Sequence, residues 1–147
     1  MTHRRSVSLA IIAIAAMAGA CARRAPITAP SVPSRILETQ VGLASYYGAE
    51  FHGKTTASGR PFDMNALVAA HPRFPFGTLV KVTNLANGRS VQVRVQDRGP
   101  ARQPRAEGVI IDLSQNAAER LGFIKQGRTR VRLEVLEWPG QVSGSES

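Results

Sequence analysis

The run from Leu79 to Asp97, "LVKVTNLANGRSVQVRVQD", constrains the fold more than any other part of the chain. Val80 and Val82 fall on one face with Lys81 and Thr83 on the other, and Val91, Val93 and Val95 alternate in the same way with Gln92, Arg94 and Gln96. A period of two marks a strand with one dry side. Between the two runs, "LANGRS" supplies Asn87-Gly88, a pair that tolerates the positive φ of a primed two-residue turn, so the spacing predicts a hairpin. The same alternation puts Asp97 in line with the valines. The expectation is an inward carboxyl, stripped of water and able to hold a proton for acid catalysis. The competing reading is a plain turn aspartate bonded to its neighbours in "DRGP".

Other segments read as short β elements. "GLASYYG" opens the folded part, and "GVIID" is a continuous apolar run suited to a strand buried on both sides. "LSQNAAERLG" predicts a helix, with Ser114 as N-cap, a small stripe of Ala117, Ala118 and Leu121, and Gly122 as the stop. "RVRLEVLE" gives the last strand, with Val131, Leu133 and Val135 inward. Six short strands and one or two short helices, punctuated by Gly and Pro, predict a mainly β closed barrel over residues 41–138. A chain of 147 residues has room for one such domain.

The segment ahead of it reads differently. His3, Arg4 and Arg5 precede the apolar run Val7 to Met17, too short to span a bilayer, and small residues Ala18, Gly19 and Ala20 follow: residues 1–20 read as an export signal. Cys21, the single cysteine, comes directly after and cannot form an internal disulfide. It is either a free or intermolecularly paired thiol, or a lipidation site. The stretch resembles a bacterial lipobox, which implies acylation of Cys21 and, with Ala22 next, a place at the outer membrane facing the periplasm. Residues 21–40, with Pro26, Pro30 and Pro33 among small and polar residues, read as a tether. Pro-rich chain of this length reaches roughly 60 Å at about 3.1 Å per residue.

The formal charge of +9 favours anionic partners. Nucleic acid is the ordinary reading of such a balance, but an exported lipoprotein does not meet it, and the expectation is no nucleic acid. Wall peptides, lipid head groups and lipopolysaccharide remain, as does the reading that scattered arginine only keeps the domain soluble.

"GLASYYGAEFHGKTTASGRPFDMNALVAAHPRFPFGTLVKVTNLANGRSVQVRVQDRGP", followed by "IDLSQNAAERLG", resembles the rare lipoprotein A family. The resemblance implies a six-stranded double-psi β-barrel and action on peptidoglycan glycan strands, cleaved without water by attack of the muramoyl C6 hydroxyl to leave a 1,6-anhydro ring. It marks Asp97 of DRGP as the acid/base and places His71 of the AAH motif and Thr55, read in the TTASG run, in the same groove. Many members add a C-terminal wall-binding repeat; here a polar tail, residues 139–147, follows the last strand, so septal targeting by such a module is not expected.

One position departs from that pattern. Where cleaving members carry a glutamate after "SG", this sequence has Arg60, which cannot accept a proton. Three readings stand open: Asp97 suffices alone, Glu50 substitutes, or the protein binds glycan without cutting it, with Arg60 holding a wall carboxylate. Ser45, Tyr46, Tyr47 and Phe51 offer a face for sugar rings, with one of the two tyrosines turned to the groove. Asp112 of IDLS is expected to be structural, near a helix N-terminus. His71 with His52 lacks the spacing of a metal motif, so neither metal nor cofactor is expected.

Overall fold

The computed structural model describes residues 35–141. The stretch expected to be an export signal, Cys21 with its expected lipidation, most of the expected tether and the end of the tail therefore lie outside the described residues. Within them run β1 (Glu38–Tyr46), a 3₁₀ turn (Ala49–Phe51), β2 (Val68–Ala70), β3 (Leu79–Asn84), β4 (Ser90–Asp97), α1 (Arg102–Ala106), β5 (Val109–Leu113), α2 (Gln115–Leu121) and β6 (Thr129–Glu137). The strands close into a barrel in the order β1-β5-β2-β4-β3-β6. The β1–β5 and β2–β4 pairs are parallel and the remaining pairs antiparallel.

Closure without free edges follows from the alternation in the strands. Val80, Val82, Val93, Val95, Val131, Leu133 and Val135 are buried together with Ala44, Ile111 and Leu113. Each such side chain contributes about 1.5–3 kcal/mol by leaving water, and the polar residues between them face out. Helix α2 caps one side through Ala117, Ala118 and Leu121, started by the Ser114 hydroxyl accepting from the Ala117 N–H and stopped by Gly122 at φ 76°. Both ends match their sequence signals. On the outer side of β1, Gly42 leaves the space that the Ile110 side chain occupies: a Cβ there would lie 2.7 Å from it.

Three local expectations are corrected. β1 begins at Glu38, inside the stretch read as tether, because Glu38 to Ala44 pair with Val135 to Thr129 and satisfy the edge of β6. The β3–β4 hairpin is present, but Val82 pairs with Val91 and Thr83 with Ser90, leaving a loop longer than a primed two-residue turn. The reason is that Asn84 and Asn87 are engaged elsewhere: both side-chain amides donate to the Leu121 carbonyl, at 2.9 and 2.8 Å, satisfying the end of α2. A shift of two residues keeps every valine on its face.

The third correction concerns Asp97. Ala69 pairs with Val95, but Ala70 pairs with Asp97, so Gln96 is an extra residue in β4. This bulge breaks the period of two. Val95 and Ala69 face the core, whereas Asp97 turns to the outer face with Ala70 instead of continuing the valine row.

Candidate active site

The outward turn at the bulge sets up a row of side chains across four neighbouring strands. Ser45 on β1 pairs with Asp112 on β5, Asp112 pairs with Ala70 on β2, and Ala70 pairs with Asp97 on β4. Directly paired residues share a face, so the two carboxyls flank the small methyl of Ala70. Their backbones are two strand spacings apart, about 10 Å. Ser45, Asp112 and Asp97 line one open cleft of about 820 Å³, together with Tyr47, Glu50 and Thr55.

Asp97 is half-buried and its carboxylate is fully engaged. Oδ2 accepts from the Tyr47 hydroxyl at 2.9 Å. Oδ1 accepts from the main-chain N–H groups of Ala57 and Arg98, each at 2.8 Å. Three donors aimed at one carboxyl fix its direction. The Arg98 bond is the one foreseen by the turn reading, yet the group also faces the cleft, so the two readings of "DRGP" are both met. The dry inward carboxyl is not what the chain builds: the bulge and the three donors replace it.

Tyr46 and Tyr47 both lie on the cleft wall, and Tyr47 is the one that reaches Asp97. Its ring packs on Phe62 and Phe51 at 4.7 and 5.4 Å between centroids. Burial first, and the negative charge of Asp97 second, push its phenol above the ordinary range, so it stays a donor to Asp97 at any working pH. The Tyr46 ring packs instead on Phe123, and its hydroxyl donates to the Ile124 carbonyl at 3.1 Å.

Asp112, which the sequence leads one to expect as a structural residue, lines the cleft. Burial raises its carboxyl above the usual aspartate value, outweighing the Ser45 bond and Arg128, which act the other way; the nearby Asp97 charge adds to the rise. The Ser45 hydroxyl donates to Asp112 Oδ1. The signal that could have found it is the break in the apolar run "VIIDL", a polar residue on the face opposite Ile111 and Leu113.

The remaining expected site residues separate. Thr55 lines the cleft, while Thr56, the threonine of TASG proper, is buried and bonds Ser58 and the Arg60 carbonyl, which shapes the loop that presents the Ala57 N–H. Arg60, expected to hold a wall carboxylate, lines a separate depression with Ser58, Phe76 and Arg94. Glu50 does line the cleft. Arg98 crosses from the cleft to Phe76, its guanidinium 3.9 Å from the ring centroid, and donates to the Phe74 carbonyl at 2.8 Å.

His71 is also corrected. Only 1% exposed, it is absent from the cleft wall. Nδ1 accepts from the N–H groups of Arg73 and Phe74, Nε2 meets Gln40 Oε1 at 3.2 Å, and the ring stacks on Phe74. Burial, then Arg73 and Arg98, lower its pKa to about 4. A neutral imidazole with both nitrogens occupied cannot relay a proton; its contribution to the site is its own main-chain N–H, which donates to the Asp97 carbonyl at 3.2 Å. Among the described residues no group of three or more His, Cys, Asp and Glu is placed to hold a metal ion.

A closed barrel with two parallel pairs in this strand order, carrying an open cleft lined by carboxyls, defines the class: a double-psi β-barrel with a polar surface site. The chain belongs to the lytic transglycolase family of such barrels, whose family model matches residues 39–133. It is 50% identical over 103 residues to the endolytic peptidoglycan transglycosylase RlpA of Neisseria meningitidis, covering 70% of this chain and 41% of that protein. The RlpA of Campylobacter jejuni is 49% identical over 108 residues, 74% of this chain and 38% of the relative. This chain thus spans well under half the length of these relatives. In fold it is similar to the Streptomyces papain inhibitor, with a TM-score of 0.54 at 24% identity over 69% of this chain and 97% of that one. The expansin of Clavibacter michiganensis gives a TM-score of 0.53 at 24% identity, over 71% of this chain and 53% of that one.

Proposed function

We propose that this protein is a lytic transglycosylase acting on peptidoglycan glycan strands, with Asp97 as its acid/base. The observation that carries the reading is the convergence of Tyr47, Ala57 and Arg98 on the Asp97 carboxylate at the cleft. A carboxylate fixed in this way removes the proton from a sugar hydroxyl as that oxygen attacks the neighbouring anomeric carbon. Intramolecular attack by the muramoyl C6 hydroxyl needs no water molecule in line, so an open groove suffices. The relatives named above supply the substrate class. Lys54, Arg98 and Arg105 along the same cleft suit a polymer bearing carboxylates.

The reading includes export through residues 1–20, lipidation at Cys21 and a place at the outer membrane facing the periplasm, with the Pro-rich segment as tether. These rest on the sequence alone, and mass determination of the processed N-terminus tests them. Binding without cleavage is the second reading, motivated by Arg60; the cleft carries Glu50 at its wall and does not include Arg60, which favours cleavage.

Purified protein incubated with sacculi stripped of stem peptides is expected to release soluble glycan fragments ending in 1,6-anhydro-N-acetylmuramic acid, seen by mass spectrometry. Asp97→Asn is expected to lower release by about 10²–10⁴-fold. No release by the wild type, with firm retention on the insoluble wall, would leave the binding reading in its place.

A further inference from the structure

Resting on that reading, one requirement is still unmet by Asp97. Cleavage of a glycosidic bond needs a proton delivered to the leaving oxygen as well as one removed from the attacking hydroxyl, and the Asp97 carboxyl, with three donors aimed at it, is arranged to accept a proton and not to supply one. A second carboxyl stands in the same row.

We infer that Asp112 is the proton donor to the leaving sugar oxygen, while Asp97 takes the proton of the attacking hydroxyl. The geometry carries this. Asp112 and Asp97 are register partners of the same residue, Ala70, from opposite sides, and both line the cleft. A methyl between them leaves room for a sugar. Asp112 Oδ1 is held by the Ser45 hydroxyl, while Oδ2 lies toward Gly99, where a Cβ would come within 3.3 Å of it. One oxygen is anchored and the other faces the chain segment bearing Asp97.

The groups that face Asp112 are Ser45 and Tyr47 from β1 and beyond, Asp97 from β4, and Arg128 ahead of β6. Arg128 is shared with Glu107, to which its guanidinium bonds. Burial dominates this set and raises the carboxyl, in keeping with a group that retains a proton. Two carboxyls in unlike surroundings divide into acid and base.

The step balances. The O6–H proton passes to Asp97, the O6–C1 bond forms as the C1–O4 bond breaks, and the electron pair left on O4 takes the proton of Asp112. No water or co-reactant is consumed. One proton moving from Asp97 to Asp112 through solvent in the open cleft restores the starting state. Ser45 acts through Asp112 and is a positioning residue.

The test compares wild type, Asp112→Asn and Ser45→Ala on stripped sacculi, with product release, retention on the wall and thermal melting measured together, and titrates ¹³C-labelled aspartate carboxyls of the wild type by NMR. Expected are retention within about twofold, release at least about 100-fold slower for Asp112→Asn, and Asp112 titrating above the ordinary aspartate range. In Ser45→Ala, loss of the bond that favours the ionised form moves the alkaline limb of the pH profile upward. Folded Asp112→Asn that cuts within a few-fold of wild type overturns the inference and leaves the lytic reading standing. So does an Asp112 that titrates at or below the ordinary value, even if the variant proves unfolded. Wild type that binds sacculi and releases nothing overturns the lytic reading itself, and the inference with it.

Discussion

The hydroxyl of Tyr47 donates to Asp97 Oδ2 at 2.9 Å, across 50 residues of sequence. This bond joins the end of β1 to the end of β4, and with the Ala57 and Arg98 amides it fixes the one carboxylate that every reading of the cleft depends on. Its phenol cannot ionise in that setting, because burial and the Asp97 charge both oppose it. The bond is therefore present at all pH values at which the barrel is folded and Asp97 is charged.

Tyr47→Phe keeps the ring against Phe62 and removes only the donor. A hydrogen bond to a charged group contributes about 1.5–3 kcal/mol. Release of anhydro products from sacculi is expected to fall by at least about tenfold per folded molecule, with the melting temperature lowered by about 4–8 °C per kcal/mol lost. Unaltered release would show that two main-chain amides suffice.

Gly99→Ala introduces a methyl 3.2 Å from the Ala70 Cβ and 3.3 Å from Asp112 Oδ2, with the Tyr47 hydroxyl at 3.6 Å. The neighbours must give by a few tenths of an ångström, in the space between the two carboxyls. Cleavage is expected to drop about tenfold through misplacement, while a urea melt shifts little. A variant as active as wild type would mean that this gap is wider in solution than the packing indicates.

His71 makes the fold sensitive to acid. Its folded pKa is lowered from 6.5 to about 4, so between those values the unfolded chain binds a proton that the folded one refuses. Stability from this group is present above pH 6.5 and is lost as pH falls toward 4. Urea titrations at pH 7 and pH 4.5 are expected to differ by on the order of 2 kcal/mol more in wild type than in His71→Gln. Cleavage at pH 7 per folded molecule is expected to change by less than about tenfold in that variant, below the 10²-fold or more of a proton-transfer group. A larger loss would restore the imidazole to the chemistry.

Arg60→Glu introduces the glutamate that the family resemblance leads one to expect after "SG". Position 60 lies with Arg94 and Phe76 and not in the Asp97 cleft, so the rate of release is expected to change by less than the tenfold or more of a group that transfers protons. Counting soluble products from the two proteins side by side decides it. A steep rise would place that side chain at the reacting sugar and favour the natural chain as a binder.

The alternation in Leu79–Val95 and Val131–Val135, and the Ser114 and Gly122 signals of α2, were legible because each depends on neighbours in sequence: a period of two, a cap three residues from its amide, a positive φ. The separated motifs identified the barrel family and Asp97. What sequence could not supply was the parity of Asp97, since an extra residue at Gln96 is required only by the pairing of β4 with β2. Nor could it pair Ser45 with Asp112 across 67 residues, release Arg60 from the cleft, or bury His71 against Phe74. A side chain's face follows from local periodicity, but its surroundings are set by strands that meet from distant parts of the chain. Closure of the barrel decides that Asp97 meets Tyr47, Ala57 and Arg98, and that Asp112 is buried beside Ser45.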